Sequence, residues 1–144
     1  MDDLIDSQEQ KYKTGKVYKR YAIILGSLLG GPMVAGYFFA NNFKLLGETE
    51  KVNKAWIISI LTTIAVLVIA FLIPENSKIP NQIIPIAYTV TANYLFKMHL
   101  EIKTIKFIEL GGKAYHWLRV VGIALIGLLI TLSVVFTFVY CAFL

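Results

Sequence analysis

Four apolar runs, residues 21–40, 56–73, 79–96 and 120–144, fill more than half of this 144-residue chain, and every lysine and arginine falls in the short stretches between or before them. A spanning helix needs about 20 mostly apolar residues to cross roughly 30 Å of hydrocarbon. The last run offers 25 residues without a single charge. The stretches outside the runs are too short to build a water-facing core of their own, the longest being 1–20 and 97–119. With 57% hydrophobic residues and a mean hydropathy of +0.66, the chain reads as an all-α integral membrane protein. The expected organisation is a polar cytoplasmic leader, 1–20, followed by one membrane-embedded helical domain, 21–144.

The distribution of basic residues constrains how the runs cross. Cytoplasmic flanks of membrane helices are enriched in Lys and Arg because these side chains resist translocation. The leader holds Lys11, Lys13, Lys16, Lys19 and Arg20; the first loop Lys44, Lys51 and Lys54; the second only Lys78; the third Lys97, Lys103, Lys106, Lys113 and Arg119. If all four runs crossed, six basic residues would face one side and eight the other, which satisfies no orientation. If the first run returned to the side it entered from, thirteen would lie on the cytoplasmic side and one outside.

The first run has the residues for such a return. Gly30-Gly31-Pro32 stands at its centre; glycine opens unusual dihedrals, and proline suits the first turn of a new helix. Nine or ten helical residues rise about 15 Å, half the hydrocarbon thickness. The sequence therefore predicts a helical bundle of three full transmembrane helices plus a broken first segment. A re-entrant hairpin is the preferred form of that segment and a kinked fourth span the alternative. The N-terminus is placed in the cytoplasm and the C-terminus on the outer side of the membrane.

Smaller signals organise the rest. The polar, acidic first eleven residues are expected to be disordered or loosely held at the surface. Gly47 is expected to end a helix, Trp56 to sit at an interface, Pro74 to close the second run and Pro80 to open the third. Residues 97–110 mix charged and apolar side chains without a clean period, and are read as a helical extension or an interfacial segment. Gly111-Gly112 stops it, and Tyr115-His116-Trp117 anchors the last run. Gly26 and Gly30 have the spacing that permits close helix contact. The mixed leader and the early glycines argue against a cleaved signal peptide.

The chemistry expected of this chain is sparse. No Asp, Glu, Lys, Arg or His lies inside any of the four runs, whereas membrane enzymes and ion-coupled transporters generally need ionisable groups at that depth. His99 and His116 lack metal-ligand spacing, Cys141 is the only cysteine, and no serine or cysteine has an evident base. No catalytic residue, cofactor or metal is therefore expected. The net charge of +5 is read as attraction to anionic lipid rather than nucleic acid, because it sits beside apolar runs. The third run is the most polar, and its Thr89 and Asn93 share a helical face. Such a face serves interhelical hydrogen bonding or lines a path. Gly30, Gly31, Pro32, Thr89 and Asn93 are the candidate structural or ligand-contact residues.

The stretch Gly30-Gly31-Pro32-Met33-Val34-Ala35-Gly36-Tyr37, then Asn42-Phe43-Lys44-Leu45-Leu46-Gly47, and later Gly111-Gly112, Trp117-Leu118-Arg119 and Gly122, resembles a pattern in small multi-pass proteins of the Bacteroidota. The resemblance implies a bacterial membrane protein and carries no activity or functional residue with it. Two functions compete. One is a non-enzymatic protein that contacts another membrane protein, as an accessory or assembly subunit or an immunity-type protein. The other is a small homo-oligomeric channel or transporter with a half-helix site where the Gly-Gly-Pro break meets Thr89 and Asn93.

Overall fold

Gly31 sets the architecture. The computed structural model describes residues 2–144, leaving aside the side chains of Gln8, Lys11 and Tyr12. Gly31 adopts φ 81°, ψ −176°, a region essentially closed to residues bearing a Cβ. Helix α2 (Arg20–Gly30) stops there, and helix α3 (Pro32–Leu45) starts at once with Pro32 in its first turn. Side by side, the two helices form a hairpin. Its open end is closed by Asn42, whose Oδ1 accepts from the Tyr18 N–H (2.8 Å) and whose Nδ2 donates to the Tyr18 carbonyl (2.9 Å). The Tyr18 ring packs 4.2 Å from that of Phe38.

Around the hairpin stand three longer elements. Helix α4 (Thr49–Leu72) packs on α3, while α5 (Ile83–His99) and α7 (Trp117–Phe143) both pack on α2. Small residues bring the backbones close. A side chain at Gly36 would collide with Ser59 of α4, and one at Gly30 or Gly127 would collide with Val34. Burial concentrates in the hairpin: Ala22, Ile23, Val34, Phe38, Phe39 and Phe43 are buried, whereas α4 buries only Ser59. Large apolar side chains such as Leu61, Val68, Leu129 and Phe136 face outward. The molecule thus wears an apolar sleeve around a packed hairpin.

Helices α4 and α7, with 24 and 27 residues, are long and apolar enough to cross a membrane. Only 6% and 11% of their most apolar stretches are buried, unlike a helix in the core of a soluble domain. Helix α5 is shorter at 17 residues, about 25 Å. Two of the three full spans expected from the sequence therefore have the required length in the structure. About 80% of the chain is helical, in keeping with an all-α class.

The basic segments converge at one end. Strand β1 (Lys16–Val17) runs parallel to β2 (Lys113–Ala114), extended by a hydrogen bond from the Tyr115 N–H to the Val17 carbonyl (3.0 Å). Arg20 lies 3.8 Å from Glu101, and Lys103 pairs with Glu48. Helix α6 (Glu101–Glu109) buries Thr104 and Phe107 beneath this end. Lys78 sits in the loop beyond the far end of α4, about 36 Å away along that helix. Phe71 and Phe138 meet there at 4.7 Å, so α7 also finishes at the far end.

Two local expectations change. Residues 2–11, within the stretch expected to be disordered or loosely held at the surface, belong to helix α1 (Asp2–Thr14), with Asp2 and Asp3 in its first turn and Lys13 in its last, an order that suits the helix dipole. Val17 and Tyr18, inside the polar leader as drawn from sequence, are fully buried. Residues 97–110 divide: α5 ends at His99, and after Leu100 (φ −122°) α6 is a separate helix.

Candidate functional site

Helices α4 and α5 stand apart across α3, leaving a groove of about 340 Å³ whose floor is Ala35, Gly36 and Phe39. Gly36 makes the floor deep by letting α3 press against Ser59. The α4 wall presents Lys51, Lys54, Ala55, Ile58, Ser59 and Thr62, and the α5 wall Tyr88, Thr91, Ala92, Leu95 and His99. Both sets recur at three- and four-residue intervals, one face of a helix each.

The serine and threonine hydroxyls in these walls bond to their own helices, while the Tyr88 hydroxyl makes no such bond. Ser59 Oγ donates to the Trp56 carbonyl (3.0 Å), Thr62 Oγ1 to Ile58 (2.7 Å) and Thr91 Oγ1 to Ala87 (2.8 Å). The groove body is therefore apolar in effect. Its charge is gathered at the end next to the basic segments. There Lys51 lies 2.8 Å from Glu48 and 5.7 Å from the Phe43 ring centroid, and Lys54 is exposed with no ion pair among the described residues. His99 Nδ1 donates to the Leu95 carbonyl at 3.1 Å. Glu48, shared by Lys51 and Lys103, is the acidic group at this mouth.

The five candidate residues do not gather on one surface. Gly30 and Gly31 abut α7, near the Ala124 carbonyl and Thr131. Pro32 lines the far end of the groove. Asn93 accepts from Arg20 Nε at 2.7 Å, at the opposite end of α2 from Gly30 and about 15 Å along it. Thr89 is buried with its hydroxyl unpartnered. Sequence reasoning uses Lys51 and Lys54 only for orientation and sets His99 aside as a metal ligand, so none of the three is expected at a shared groove, although the helical spacing of the α4 and α5 faces carries the signal.

A second polar cluster holds the basic end together. Tyr18 stacks on Tyr115 (4.3 Å), Arg119 lies over the Tyr115 ring (4.6 Å) and its Nε donates to Tyr18 Oη (3.3 Å). Burial raises the Tyr18 phenol above its ordinary value, against the pull of Arg119, so the hydroxyl keeps its proton at neutral pH and accepts from the guanidinium. The cluster pins chain segments to one another. Among the described residues no three His, Cys, Asp or Glu side chains are grouped to hold a metal ion. Comparison with protein-family models, curated proteins and solved structures finds no match.

Proposed function

We propose that this chain is a non-enzymatic, multi-pass protein of a bacterial cytoplasmic membrane that works through contacts with another membrane protein, as an accessory or assembly subunit or an immunity-type protein. One observation carries the reading: the buried polar contacts are engaged in fastening the fold together. Asn42 binds the Tyr18 backbone, Arg20 holds Asn93, and Arg119 holds Tyr18. None of these arrangements pairs a nucleophile with a base.

In this reading the hairpin is re-entrant. The leader, the first loop and the third loop face the cytoplasm, and the Lys78 loop and C-terminus face outward, as the retention of basic residues requires. The channel reading has less support, because Gly30 and Gly31 are packed on α7 and Asn93 is engaged by Arg20. Purification from the source membrane in mild detergent, followed by intact-mass analysis, tests the reading. A different protein at fixed stoichiometry is the expected result. A discrete homo-oligomer alone would contradict it and favour a pore.

A further inference from the structure

We propose that the α3–α4–α5 groove holds one acyl chain of an anionic phospholipid from the leaflet on the basic side, with the headgroup phosphate against Lys51 and Lys54. The proposal rests on the membrane reading above and adds a ligand to it. Two features of the groove point to this occupant.

The first is length. From Pro32 at the hairpin tip to Phe43 at the basic end, α3 rises about 17 Å, close to the roughly 15 Å depth of one leaflet. The groove runs from mid-depth to one interface and stops. The second is the order of chemistry along it. The walls are mainly apolar, their serine and threonine hydroxyls turned back onto their own carbonyls with Tyr88 the remaining polar group, and the lysines are collected at one end. Basic pockets between helices on the cytoplasmic side are suited to anionic headgroups. Lys54 makes no ion pair among the described residues, with Glu50 one turn before it on α4, and Glu48 offsets only part of the charge of Lys51 and Lys103.

The test uses the full chain in mild detergent, with phosphatidylglycerol and phosphatidylcholine added in equal amounts and retained lipid read by native mass spectrometry. One phosphatidylglycerol retained in preference to phosphatidylcholine is expected. Lys54→Ala, at an exposed unpaired side chain, should weaken that retention about fivefold without altering the thermal unfolding midpoint. Thr91→Trp, which fills the groove from an exposed wall position, should abolish it. Lys106→Ala removes the same charge from α6, outside the groove, and should change nothing. Equal retention of the two lipids overturns the proposal. So does an equal loss in Lys106→Ala, which would mean a diffuse charge effect, and so does undiminished binding in Thr91→Trp. A copurifying protein that cross-links to Thr91 would assign the groove to a partner instead. A chain absent from the membrane fraction would fail the broader reading before any lipid is added, so the two failures are distinguishable.

Discussion

Asn42 is the residue on which the hairpin closes. Its amide satisfies both backbone groups of Tyr18 in a fully buried position, and a buried amide or carbonyl left unpaired costs about 1–3 kcal/mol. Asn42→Leu is therefore expected to destabilise the protein by at least about 2 kcal/mol, read as a lower thermal midpoint in detergent, whereas the exposed neighbour substitution Lys44→Leu should have little effect. Gly31→Ala places a Cβ on a backbone that all but excludes one, a strain of about 1–3 kcal/mol, and should lower the same midpoint. Gly31 was legible because the Gly-Gly-Pro triplet is a local signal with a mechanism. Asn42 was not: nothing in the residues around it identifies a partner 24 positions earlier.

At the scale of elements, close approach of helices depends on missing side chains. Gly36 lets α3 reach Ser59, and a Cβ there has no free space. Gly36→Leu is expected to push α4 away from the hairpin at a cost of about 1–3 kcal/mol or more, detectable as faster proteolysis at the loop between α4 and α5. Gly122→Leu, where a Cβ meets nothing within 4 Å, is the matched control and should be tolerated. The helix boundaries near Gly47, Pro74 and Gly111 could be read from sequence because glycine and proline punctuate locally. The β1–β2 pair could not. Two residues per strand carry no periodicity, and their pairing joins Lys16 to Lys113 across most of the chain. The groove fell between these cases. Its walls show helical spacing, but only the packing of α3 decides which face of α4 and which face of α5 turn toward each other.

For the whole molecule, burial and charge are arranged along one axis. The hairpin is packed at the centre, apolar helices α4 and α7 surround it, and the basic segments meet at one end. The basic segments that the charge pattern assigns to one side lie together at one end of the structure. What the account adds is a membrane around the sleeve and a direction through it. Single cysteines at Lys13, Lys44 and Lys78, each introduced into a Cys141→Ala background and exposed to a membrane-impermeant thiol reagent in intact cells, test that claim most directly. The account expects Lys78→Cys to be labelled and both Lys13→Cys and Lys44→Cys to be protected until the cells are opened. Labelling of Lys44→Cys in intact cells, with Lys13→Cys still protected, would mean that residues 21–40 cross the membrane completely, and would contradict the re-entrant hairpin.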